Sequence, residues 1–267
     1  ITAPRVKKYK YAWICESRAI HHWFSNLYET DENGQKVVRG ITPTLQSMID
    51  SYDAIFTCDR ELVALHDKIH FSFAGSTLPW VNVDDWDTAS KNKSCSFVAS
   101  NKMMCVGHAY RRYVYEYIRE NNLNIDVRGS ITGEEYFGKC DRCWERGGGD
   151  GWMDKSSALL DYKFSIVMEN DFYSTYYTEK LTDCFKTATV PIYLGSPDIA
   201  EHFNINGIIQ AENPDHLNKI ISHFDKHNSW DSEYDRRILA VQDNYNRVGF
   251  IRHPDDVLFS KIMEMAK

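Results

Sequence analysis

Residues 162–195, YKFSIVMENDFYSTYYTEKLTDCFKTATVPIYLG, limit most tightly what this chain can become. The first seven are too apolar for a sheet face in contact with water, so they are expected to form a strand buried on both sides. After a polar loop, Leu181, Cys184, Phe185 and Ala188 recur at i, i+3, i+4 and i+7, the apolar stripe of a helix, and Thr178 is placed to cap it. A second apolar run, 190–194, reads as another strand, after which Gly195, Ser196 and Pro197 turn the chain toward a further helix. Strand, helix and strand at this length make a βαβ unit, whose parallel strands aim their C-terminal ends at one edge of the sheet.

Open α/β sheets bind ligands at that edge. Here it carries Glu169, Asn170, Tyr176, Glu179, Lys180, Gly195 and Ser196. A helix start offers free N–H groups and a positive dipole end, which suit a phosphate, and Lys180 adds a full charge beside them. Glu179 suits the hydroxyls of a ribose instead, because an ionised carboxylate only accepts hydrogen bonds. The competing reading is a pair of solvated charges on an amphipathic helix. Their place at a helix start, after a strand ending in Glu-Asn, points to a sugar nucleotide.

The segments FSIVMEN, YYTEKL and VPIYLGSPDIAEHF, in this order and spacing, resemble the donor-binding signature of the family 10 glycosyltransferases, the α1,3/4-fucosyltransferases. The resemblance runs over residues 94–224 and is looser before them. It implies an α/β fold of GT-B type, two Rossmann-like domains with a cleft between them and a small N-terminal domain. It also implies GDP-fucose as the donor, a glycan hydroxyl as the acceptor, inversion at the anomeric carbon, and no required cofactor or metal ion. Asn170, Tyr176, Glu179 and Lys180 fall on the family's donor-site positions. In a helix expected from 108 to 120, with Tyr110, Val114, Tyr117 and Ile118 as its buried stripe, the pattern Arg-x-x-Val-Tyr-Glu-x-Ile aligns Arg111 with a diphosphate-contacting arginine of the first turn. Arg112 takes that place if the helix starts one residue differently. Glu16, just past a strand expected at 9–14, corresponds to the proposed base that deprotonates the acceptor. Ser17 follows it where the family has asparagine, and a pairing of Glu16 with Arg18 or a loop N–H is the competing reading.

The 267 residues suffice for two modest domains. We expect an acceptor-side domain at 1–90, a donor domain at 94–250, and a terminal helix at 251–267 that packs back on the first domain. The polar stretch 79–93 is expected to link them. A net charge of −7 and pI near 5.8 argue against a nucleic-acid surface. No apolar run reaches the length of a membrane span, and no signal peptide is expected, although a chain opening on Ile1 leaves room for a removed targeting segment. Seven cysteines without a repeating spacing favour a reducing, cytoplasmic setting.

Other patterns carry less. A single CxxC at 140–143 reads as incidental thiols, and the acids at 84–87 imitate a cation-binding Asp-x-Asp without the strand that should precede it. His21, His22, Trp23 and Phe24 read as packing or a sugar-stacking surface, and the glycines at 147–151 as a flexible loop, not a P-loop. Two further function readings stay open: a GT-B transferase of another nucleotide sugar, and a non-catalytic sugar-nucleotide or glycan-binding module.

Overall fold

Every strand of the two larger sheets pairs in parallel, so each pair needs a crossover, and helices supply most of them. The computed structural model describes residues 9–21, 26–73, 77–81, 86–133 and 155–265. The expectations for residues 22–24, 82–85, 140–143 and 147–151 lie outside these. Two units emerge, Ile1–Gly75 with Pro254–Lys267, and Ser76–His253. Among the described residues no helix is long and apolar enough to cross a membrane.

The first unit contains β1 (Tyr11–Ile14), α1 (Arg18–His21), the short hairpin β2 (Glu29–Thr30) and β3 (Lys36–Val37), α2 (Pro43–Ser51), β4 (Ala54–Thr57), α3 (Arg60–Val63) and β5 (Ile69–Phe71). Its sheet has the order β1-β4-β5. Helix α2 starts where Thr42 accepts the Leu45 N–H on its side chain and Pro43 fixes the first helical φ. Its apolar face, Leu45 and Ile49, packs with Ile14, Ile55, Leu62 and Ile69. The last helix, Pro254–Met265, belongs to this unit, and Lys261 donates to the carbonyl of Phe71.

The second unit contains β6 (Lys93–Val98), α4 (Val106–Glu120), β7 (Asp126–Arg128), β8 (Tyr162–Met168), α5 (Glu179–Lys186), β9 (Val190–Leu194), β10 (Ile209–Gln210), α6 (Pro214–His227) and α7 (Trp230–Gly249). The sheet order β10-β9-β8-β6-β7 puts β8 at its centre, where every residue but Lys163 is buried. After β9 the chain makes only short 3₁₀ turns, Ile199–Glu201 and Ile205–Gly207, where a helix was expected. Residues 79–81, the start of the linker expected at 79–93, are not free, and Thr77 just before them is tied down as well. Thr182 donates to the Thr77 carbonyl at 3.0 Å, and the N–H groups of Trp80 and Val81 donate to Asp183 Oδ1 at 2.6 and 3.0 Å. An acid on α5, about a hundred residues away, ties the segment down, which no local pattern could show.

Lys91 is buried in the same unit and donates to the Leu159 carbonyl and to Thr189 Oγ1, each at 2.8 Å. Burial pulls its amine down to about 7. The unfolded chain, with a lysine near ~10.4, binds more protons across that window. The contribution of Lys91 to stability therefore rises with pH above about 7 and is lost as pH falls through it. Relative to Lys91→Met, the wild type should gain up to ~1.4 kcal/mol of unfolding free energy per pH unit in this range. Urea titrations of both proteins at several pH values check this, and parallel pH profiles would contradict it.

Candidate functional site

The chain leaves β6 through α4 toward one edge of the sheet and leaves β8 through α5 toward the other, so strand order reverses between β6 and β8. Right-handed crossovers then put α4 and α5 on opposite faces, and ligands of open α/β sheets settle at such a reversal, outside the strand ends. Both helices start there. Gly107, in the first turn of α4, donates to the Asn170 carbonyl at 3.3 Å. A Cβ at this position would stand 2.1 Å from the Glu169 carbonyl oxygen. Gly195 is equally constrained, since a Cβ would meet the Tyr193 hydroxyl at 2.2 Å and Glu169 Cγ at 2.8 Å. Only glycine lets α4 and the turn after β9 close on the end of β8.

Glu169 is fully buried between them and fastens the end of β8 to the start of α5. Its Oε1 accepts the Thr178 N–H at 2.8 Å, and its Oε2 accepts the Thr178 hydroxyl at 2.8 Å. Thr178 also caps the helix by accepting the Lys180 N–H. The Lys180 ammonium donates to Thr178 Oγ1 at 2.9 Å and lies 3.5 Å from both Glu169 Oε2 and Glu179 Oε1. Its side chain is 27% exposed, so the charge keeps an open side. Glu179 itself is buried and paired with Lys155 at 3.1 Å.

Arg111 and Asn170 come together, though not as expected. Helix α4 begins at Val106, so Arg111 stands in its second turn and is buried. Its guanidinium donates to the Met168 carbonyl at 3.1 Å through Nε and to Asn170 Oδ1 at 2.9 Å through Nη2. That bond orients the amide, whose Nδ2 has no hydrogen-bond partner among the described residues and is left to donate. Arg112 is half-buried and forms no such fork among the described residues. The buried stripe of α4 is Gly107, His108, Arg111, Val114 and Ile118, while Tyr110 and Tyr117 are only half-buried. Burial, and then the charges of Arg111, Lys102 and Lys180, bring His108 down to about 4. The imidazole is thus neutral near pH 7 and stands in a positive field. Tyr176 is fully buried and stacks on Tyr173, ring centroids 5.3 Å apart, so it backs the loop without presenting a face.

Glu16 belongs to the first unit, exposed just past β1. Its N–H donates to His21 Nε2 at 3.4 Å, and Arg18 commits its guanidinium to Asp59 at 2.6 and 2.8 Å and to Glu61 at 3.1 Å. Among the described residues, Asp198, Glu201 and His202 form a group with the makings of a metal site, their ligand atoms within 4.8 Å of one another. Asp198 Oδ1 already accepts the Thr175 N–H at 2.9 Å and the Ser196 hydroxyl at 2.5 Å, which accounts for it as a lock on the turn after β9.

Four residues of the site had no assigned role in the sequence: Glu169, Lys155, His108 and Lys102. Glu169 was visible as a carboxylate at a strand end. The other three give no local signal, because their part depends on partners far along the chain.

A family profile described as glycosyltransferase family 10 (fucosyltransferase), C-terminal part, matches residues 88–246, more than half of the chain. A putative fucosyltransferase-like protein of Arabidopsis thaliana is 28% identical over 122 residues, 46% of this chain and 21% of that protein. The alpha-(1,3)-fucosyltransferase FucT of Helicobacter pylori is 38% identical over 58 residues, 22% of this chain and 12% of that protein. The matches thus span about a fifth or less of these relatives' length. Among solved structures, an alpha1,3-fucosyltransferase with GDP-fucose is 20% identical, with a TM-score of 0.48, over 72% of this chain and 62% of that one. A mutant S. aureus TarM in complex with Fondaparinux, alpha-GlcNAc-glycerol and UDP is 10% identical, with a TM-score of 0.50, over 89% of this chain and 48% of that one. The last likeness shows the fold, which is α/β of GT-B type.

Proposed function

The chain belongs to glycosyltransferase family 10, and from that premise we propose that it transfers fucose from GDP-fucose to a glycan hydroxyl with inversion, in the manner of an α1,3-fucosyltransferase. One observation carries the reading. At the reversal of strand order, Glu169 and Thr178 hold the Lys180 ammonium at the start of α5, near enough to the first turn of α4 for its charge to act on His108. A lysine with an open side between two helix N-termini is suited to a diphosphate.

The acceptor oxygen attacks the anomeric carbon while the bond from that carbon to the diphosphate oxygen breaks. The acceptor proton passes to Glu16 as general base. Charge developing on the leaving diphosphate is met by Lys180, by the positive dipole ends of α4 and α5 and by the Asn170 amide. Arg111 acts from behind Asn170, setting its amide and adding positive potential. Glu179 accepts from the ribose hydroxyls, and Tyr176 supports the pocket wall through Tyr173. The reaction as proposed calls on no metal ion, because Lys180 and the helix starts supply the charge. Seven cysteines without a repeating spacing support a reducing, cytoplasmic setting.

Calorimetry with GDP, UDP and CDP should give tightest binding for GDP; no preference, or no binding, ends the reading. Glu16→Gln should keep GDP affinity and lower transfer by about a hundredfold or more. Transfer is read as GDP release from GDP-fucose with galactose- and N-acetylglucosamine-containing acceptors. Undiminished transfer moves the base elsewhere, and no release by the wild type favours a binding module.

A further inference from the structure

Glu179 and Asp183 stand one helical turn apart on α5, with side chains only 5% and 1% exposed. Like charges at this spacing share a helix face and repel each other, more so away from water. Lys155 bridges them, its Nζ 3.1 Å from Glu179 Oε1 and 3.4 Å from Asp183 Oδ2. The same ammonium lies 4.4 Å from the centroid of the Trp80 ring, a cation–π contact. Asp183 spends its other oxygen on the N–H groups of Trp80 and Val81. The lysine is therefore enclosed by two acids and an indole, and is no solvated surface charge.

We propose that Lys155 is a positioning residue for donor recognition, holding the Glu179 carboxylate ionised and oriented to accept the ribose hydroxyls of the nucleotide. This rests on the reading of Glu179 given above. A carboxylate can accept from two hydroxyls, whereas a protonated carboxyl must donate through one of its oxygens. Two lysines approach Glu179, but Lys180 is also the cation for the diphosphate. When Lys180 turns to phosphate, Lys155 remains as the counter-charge of Glu179. Without it, two buried carboxylates a turn apart would compete for a proton, and the acceptor of the ribose would lose both charge and orientation.

The test compares the affinities of GDP and 2′,3′-dideoxy-GDP, by calorimetry, for the wild type, Glu179→Gln, Lys155→Met and the double variant, each with its thermal midpoint. The wild type should prefer GDP by about tenfold or more. Glu179→Gln should lose most of that preference, Lys155→Met should lose as much without touching the nucleotide, and the double variant should lose no more. A Lys155→Met protein that binds both nucleotides more weakly but keeps the wild-type ratio overturns the proposal and leaves a structural role. If the wild type binds GDP without preferring it, the ribose reading of Glu179 fails first and takes this proposal with it. Should the methionine variant not fold, Lys155→Gln, which keeps a donor without the charge, is read in the same way.

Discussion

Adding one methyl group at Gly107 is expected to lower the thermal midpoint by about 6–12 °C, the equivalent of roughly 3 kcal/mol for a protein of this size. The new Cβ would lie 2.1 Å from the Glu169 carbonyl oxygen and within 2.9 Å of two Asn170 backbone atoms. Backbone cannot swing aside as a side-chain tip can, so α4 must back away from β8. The ordinary effect of the change has the opposite sign, since alanine favours a helix over glycine by about 1 kcal/mol. Gly249, also in a helix and with nothing within 4 Å of an added Cβ, is the matched control, and Gly249→Ala should be neutral or stabilising. Differential scanning calorimetry of the two variants settles the matter; equal midpoints would mean that α4 does not rest on β8 as described. GDP affinity should fall with the Gly107 midpoint, because the same contact sets the start of α4 against Asn170.

Lys180→Ala is expected to weaken GDP binding by about tenfold to a hundredfold, the worth of one charge-assisted hydrogen bond. GMP, lacking the second phosphate, should lose less. The loss should shrink as salt rises, since part of the attraction is a screened charge. Equal losses for GDP and GMP would remove Lys180 from the diphosphate. Folding should survive, because Glu169 keeps the N–H and hydroxyl of Thr178 at 2.8 Å.

The β8–α5–β9 unit was legible because its information is local. A buried strand reads as an apolar run, and Thr178 announces the helix that it caps. The start of α4 was not legible for the converse reason. Cys105 stands at its N-cap and makes no side-chain capping bond, so nothing marks the place, and the helix was expected two residues late. That shift put Arg111 in the first turn, where an arginine would face a phosphate directly. Apolar periodicity also favoured Tyr110 and Tyr117 for the buried face, whereas His108 and Arg111 occupy it because the end of β8 gives Arg111 carbonyl and amide acceptors. Residues 79–81 looked like the start of a linker by composition. Asp183 makes them part of the second unit, and a carboxylate's reach through space leaves no trace in spacing.

On the proposed reading the buried Glu169 has one more effect, on how the site would take up and release its nucleotide. Lys180 already has an internal counter-ion 3.5 Å away, so the diphosphate of the proposed donor would share the ammonium with Glu169 and find no bare charge waiting. Sharing the charge in this way would make loading gentler than capture by an isolated cation, and letting go correspondingly easy. A transferase of the kind proposed, which would shed a multiply charged product after every cycle, is better served by such a reversible handshake than by the strongest grip its lysine could manage.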